Sequence, residues 1–161
     1  MQRRIFLGGL LSMAPSQSDH ERFMRLAIAA ASHNKRAPFG AVIVNRVGGE
    51  VMAEGWNKSR ENPTWHGEID AMNSCATAHP GIDWKKLALY TTAEPCPMCQ
   101  SAIVWSGMKL MVYGTSIPTL KRLGWGQIDL RASEISAKAP FNPCEVVGGI
   151  LEKECDSLFV R

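Results

Sequence analysis

The chain has 161 residues, 45% hydrophobic and 20% charged, which excludes wholesale disorder and suffices for one domain with one core. No apolar run reaches the roughly eighteen residues that a membrane span needs. The net charge of +3 includes Arg3 and Arg4, so the remainder is close to neutral and lacks the basic field of a polyanion binder.

Residues 1–18 carry a basic start, an apolar stretch from Ile5 to Leu11, and then Pro15 with small polar residues. This is the grammar of a secretory signal, and "RRIFLGG" is similar to a twin-arginine export motif. Export to the periplasm and a basic tail on a cytoplasmic protein both fit, and both stay open. The domain is expected over 19–161. Ser18 and Glu21 have capping-box spacing and predict a helix running to about Asn34. Segments 37–45 and 50–57 read as strands joined by the glycines of "RVGG". A helix is expected over 65–78, a strand over 86–92, and a helix from Pro97 to Gly107. A strand follows at 109–115. Residues 116–142 read as irregular, with a short helix near 118–124, before a strand at 145–149 and a closing helix at 150–159. The order predicts an α/β fold, a three-layer α/β/α sandwich around a mixed five-stranded sheet.

Five cysteines in a chain with a full-sized core do not read as a disulfide framework. Only Cys96 and Cys99 are closely spaced; Cys75, Cys144 and Cys155 read as packing residues. Cys96 and Cys99 fall one turn apart at the start of a predicted helix, and His66 opens another. Helix N-termini favour thiolates. One nitrogen and two sulfurs suit zinc. His79 and Cys75 sit roughly 13 Å or more along the helix axis from His66, too far to be a fourth ligand. Three ligands leave a position open for water, which is the catalytic arrangement rather than the structural one. Glu68, two residues from His66, is placed to move protons without ligating the metal. Either motif alone is weak. H-x-E followed thirty residues later by P-C-x-x-C, across a predicted strand, is specific.

With "PFGAVIV", "EGWN", "NPTWHGEID", "LYTTAEPCPMCQSAIVWSG" and "GILEKEC", residues 20–159 resemble the cytidine/deoxycytidylate deaminase-like superfamily. The resemblance implies that His66, Cys96 and Cys99 hold one Zn2+ and that Glu68 is catalytic. It implies that water attacks an amino-bearing ring carbon and ammonia leaves. It also implies that Asn57 hydrogen-bonds the base, that Phe39 and Gly67 line the pocket, and that the chain forms a homodimer. "PFGAVIV" and "EPCPMC" are most similar to bacterial guanine deaminases and tRNA adenosine deaminases. "HGE" is more like fungal cytosine deaminase; the other two branches usually have Ala where Gly67 stands. The tRNA branch's D-x-K-x-G-x-x-G loop has no match in "SIPTLKRLGW", and Thr119 stands where guanine deaminases usually offer an Asp. The expected reaction is hydrolytic deamination of a nucleobase, nucleoside or related heterocycle, guanine or cytosine type favoured, with a small molecule as partner. The alternatives are tRNA adenosine deamination, disfavoured by the near-neutral charge, and a zinc-stabilised binding domain without catalysis. Trp56 and Trp65 flank site residues and could stack on a base, whereas Trp84, Trp105 and Trp125 are expected to pack.

Overall fold

The computed structural model describes residues 14–161. The twin-arginine-like stretch lies outside the described residues. Helix α1 (Gln17–Ala31) is capped by Ser16, whose hydroxyl accepts from the Asp19 N–H while the Asp19 carboxylate accepts from the Ser16 N–H. The capping box therefore sits two residues ahead of the expected Ser18 and Glu21. Two Ser-x-x-acid pairs overlap here, and the earlier one gains two further residues of helix, each adding a backbone hydrogen bond. The α-helix ends at Ala31, and a single 3-10 turn carries the chain through Ser32–Asn34.

Strands β1 (Gly40–Asn45) and β2 (Val51–Trp56) form the opening hairpin. Next come α2 (Gly67–Ala78), β3 (Leu87–Ala93), α3 (Pro97–Ser106) and β4 (Leu110–Thr115). Gly107 stops α3 at φ 94°, a conformation that favours glycine. Residues 116–142, read as mostly irregular, contain α4 (Ile117–Arg122) and also α5 (Ala132–Ala137). The chain closes with β5 (Glu145–Val147), shorter than expected, and α6 (Glu152–Phe159).

The sheet order is β2-β1-β3-β4-β5, antiparallel at β2/β1 and β1/β3 and parallel at β3/β4 and β4/β5. This is the mixed five-stranded sheet expected. Alternation along the strands divides the core into two faces. Val42, Val44, Ala88 and Tyr90 pack against Phe23, Met24 and Ala27 of α1 and Cys155 of α6. Ala41, Ile43, Leu87 and Leu89 pack on the other face, against Ala71 and Cys75 of α2 and Ile103 and Val104 of α3. All seven residues of β3 are buried, as a central strand covered on both faces must be. Cys75, Cys144 and Cys155 are buried free thiols, in keeping with packing roles.

The topology brings several chain segments to one end of the sheet. β3 and β4 both finish there, with Ala93 paired to Thr115. β1 runs against β3, so it starts at that end, and Gly40 pairs with Trp56 where β2 finishes. Phe39, Asn57 and Cys96 therefore all lie just beyond the same edge. Ligand crevices in open α/β sheets form at the carboxyl ends of parallel strands for this reason.

Candidate active site

His66 and Cys96 are the N-cap residues of α2 and α3. Both have extended backbones, and neither side chain makes a capping hydrogen bond. Residues at this position usually spend their side chain on the helix's own N–H groups; here both are free to point elsewhere. Pro97 follows at the first turn of α3, where its missing N–H costs nothing, and Cys99 lies one turn in. The result is one cluster: the His66 Nδ1 lies 3.6 Å from Sγ of Cys96 and 3.6 Å from Sγ of Cys99. The three ligand atoms lie within 4.8 Å of one another. Zinc bonds of about 2.0 Å to nitrogen and 2.3 Å to sulfur, set at tetrahedral angles, put N and S roughly 3.6 Å apart. The donor set fits one zinc ion.

The electrostatics favour a charged sulfur pair. Cys96 is held down to about 4, first by the hydrogen bond from Cys99 and also by His66. Cys99 moves the other way, raised by its hydrogen bond to Cys96 and by burial. A coordinating thiol is deprotonated outright, so both sulfurs would meet a metal as thiolates. His66 is raised, chiefly through its hydrogen bond to Cys96. Glu68, in the first turn of α2, is buried and pushed up to about 7, with loss of solvation as the main cause.

A cavity of about 190 Å³ opens onto this cluster, lined by Phe39, Asn57, His66, Glu68 and Cys96 among the expected residues. That is below the range for drug-sized ligands and suits a single small ring system. The Asn57 carboxamide oxygen accepts from the Ser59 N–H and hydroxyl at 3.2 and 2.8 Å. Those bonds orient the amide and leave its NH2 available to a base edge. The Asn57 backbone is fixed by Phe39 O and the Asn34 amide.

Gly67 does not line the cavity wall. It is buried where α2 meets β1, and a Cβ there would lie 2.7 Å from Phe39 O. Its smallness serves a close backbone approach. Thr119 is also absent from the wall; its hydroxyl accepts from Arg122 at 3.1 Å and lies 3.1 Å from the Ser116 hydroxyl. Trp56 stacks on His33 at 4.3 Å and Lys58 sits over it, so neither it nor Trp65 reaches the cavity. The tryptophan that does is Trp125, expected only to pack, and it meets Phe39 edge-on. Ala37, Ser59, Glu94, Gly126 and Gln127 complete the wall and were not anticipated. The available signal was Glu94, an acid between a wholly buried strand and Pro95.

Residues 17–115 match the cytidine and deoxycytidylate deaminase zinc-binding region, and the chain belongs to that family. It is 37% identical to a guanine deaminase of Bacillus subtilis over 59% of this chain and 64% of that one, just under two thirds of the relative's length. It is 33% identical to a probable cytosine deaminase of Schizosaccharomyces pombe, over 73% of this chain and 74% of the other. A tRNA-specific adenosine deaminase of Haemophilus influenzae is 31% identical over 84% and 78%. A structure of guanine deaminase from Nitrosomonas europaea shares the fold (TM-score 0.71, 22% identity, 91% of this chain and 84% of that one). The protein is a zinc-dependent enzyme of the nucleobase and nucleoside deaminase class, acting hydrolytically on C–N bonds.

Proposed function

We propose that the protein deaminates a small, neutral aminated heterocycle of the guanine or cytosine type, with His66, Cys96 and Cys99 as zinc ligands and Glu68 as proton carrier. The observation that carries this reading is the convergence of three ligand atoms and a buried carboxylate on one small cavity. When bound, zinc supplies Lewis acidity that draws the pKa of water down toward neutrality. Glu68 takes up the proton lost by the attacking water and delivers it to the departing amino group. Burial raises the Glu68 carboxyl above the ordinary carboxylate range, which favours its acting as a proton carrier. Asn57 presents its NH2 to an acceptor on the ring, and Phe39 and Trp125, packed edge-on against each other, supply apolar wall beside it. A substrate without that acceptor leaves a buried amide unpaired and is rejected.

Among the described residues, no Lys or Arg lines the cavity. This supports an uncharged substrate over a phosphorylated one, and a free heterocycle over tRNA. The tRNA reading keeps the support of the adenosine deaminase relatives, and a steep salt dependence of tRNA binding would favour it. The exposed Trp105 and Phe141 support the homodimer that the resemblance implies.

The test is ammonia release by the zinc-loaded protein from guanine, cytosine, adenosine, cytidine and aminotriazines. The expected result is turnover of at least one member, falling about 10²–10⁴-fold in Glu68→Gln with zinc content and fold unchanged. No ammonia from any member overturns the reading. Full activity in Glu68→Gln removes the residue from the chemistry.

A further inference from the structure

We infer that Glu94 is a positioning residue: its carboxylate clasps both ends of the segment 117–131, the segment that forms the outer wall of the substrate cavity. Glu94 follows β3, and its N–H donates to Thr115 O at 2.7 Å where β4 ends. The side chain is 1% exposed. Its Oε2 accepts from the Ile117 N–H at 2.9 Å, at the start of α4. Its Oε1 accepts from the Ala132 N–H at 3.0 Å, at the start of α5. The Arg131 Nε–H lies 2.9 Å from both oxygens. Arg131 in turn donates from Nη2 to the Tyr113 hydroxyl on β4 at 2.9 Å.

One carboxylate thus joins the two helix starts that bound a fifteen-residue excursion of the chain. A carboxylate offers about four acceptor positions, two on each oxygen. Here each oxygen already faces two donor contacts. Glu94 borders the cavity, and with both oxygens engaged by three protein N–H donors it acts through what it holds. What it holds is the run Trp125, Gly126 and Gln127, which reaches over the cavity from the middle of the segment. Trp125 ties this run to the C-terminal helix, donating from Nε1 to Phe159 O at 2.8 Å and meeting its ring edge-on. Leu120 of α4 packs into the same buried cluster, and the exposed Lys121–Asp129 pair adds a weak constraint within the segment. Cys96 is two residues beyond Glu94, so the same short stretch of chain fixes a metal-ligand candidate and the far wall of the cavity. The clasp sets the distance between them.

This inference rests on the proposed function only for the cavity being the substrate's place. The experiment is hydrogen–deuterium exchange by mass spectrometry on the zinc-loaded protein, wild type against Glu94→Gln, with steady-state kinetics on whichever panel compound the wild type turns over best. Glutamine keeps the size but offers one acceptor oxygen where three donors converge. Exchange over residues 117–132 should rise about tenfold while the sheet and zinc content stay unchanged. KM should rise about tenfold with kcat within about threefold, the signature of a misplaced binding wall. Unchanged exchange over 117–132 overturns the inference. So does a fall in kcat at constant KM, which would put Glu94 in the chemistry. If Glu94→Gln does not fold, Arg131→Gln removes the shared donor from a partly exposed position, and it should loosen the same segment; unaltered exchange there overturns the inference equally. If the wild type turns over no panel compound, the functional reading fails while the exchange result still decides the clasp.

Discussion

Gly67 shows how much a single missing methyl decides. It stands between His66 and Glu68, at the first turn of α2. A Cβ there would meet Phe39 O at 2.7 Å and Phe39 C at 3.2 Å. Both are backbone atoms, which cannot swing aside as a side-chain tip does. The carbonyl in question also accepts the Asn57 N–H at 3.0 Å. Pushing it away disturbs the residue that faces the base. Gly67→Ala should therefore cost about 1–3 kcal/mol, the usual range for overpacking a filled site. A thermal melt should show a midpoint several degrees lower. An unchanged midpoint would show that the first turn of α2 has room to retreat. The resemblance had placed Gly67 in the pocket. The structure adds a close contact with a strand start nearly thirty residues earlier in the chain, which no local pattern displays.

At the scale of elements, the ends of helices carry the site. The caps of α2 and α3 were legible because H-x-E and P-C-x-x-C are local: each places its chemistry on its own helix turn. Of the lobe that follows, the short helix near 118–124 was legible and is α4, whereas α5 and the joining of the two were not. Their organiser, Glu94, bonds residues 23, 37 and 38 positions away, and α5 has no apolar repeat long enough to read. The loop between β2 and α2 depends on a similar remote bond. Asp70 of α2 accepts from the Trp56 N–H at 3.1 Å and from Lys58 Nζ at 2.8 Å. Its side chain is 3% exposed against 23% for Lys58. Lys58 also sits 4.3 Å from the Trp56 ring. This loop carries Asn57 and Ser59 to the cavity. Lys58→Met leaves a buried carboxylate with one donor, and should cost roughly 2–4 kcal/mol, somewhat below a fully buried pair because Lys58 keeps some solvent. Adding Asp70→Asn should restore part of the loss, since the stranded charge is then gone. Denaturant melts of the single and double variants measure this. Strict additivity would show that the two side chains stand independently.

For the whole molecule, the sandwich was readable because β1 and β3 are apolar on both faces and a single alternation assigns each residue to a layer. Assembly is less readable, since an apolar helix face can serve the core or a partner equally well. The structure separates the two roles on α3. Cys99 and Ile103 face inward at 0% exposure, while Trp105 stands out at 77%. Trp105 packs 4.9 Å from the ring of Phe141, itself 62% exposed, beside a shallow groove that Leu130, Ile135 and Ala139 help to line. A tryptophan so exposed among apolar neighbours is what an interface anchor looks like before its partner arrives. The occupant that the family resemblance implies is a second copy of this chain. Sedimentation across micromolar concentrations should then give a dimer. Trp105→Glu places a charge at the anchor, and should weaken association by about 30-fold or more while zinc content and circular dichroism stay as in the wild type. A wild type that remains monomeric at about 100 μM, far above the concentrations where specific interfaces saturate, refutes the dimer. A dimer that Trp105→Glu leaves intact moves its interface to another face.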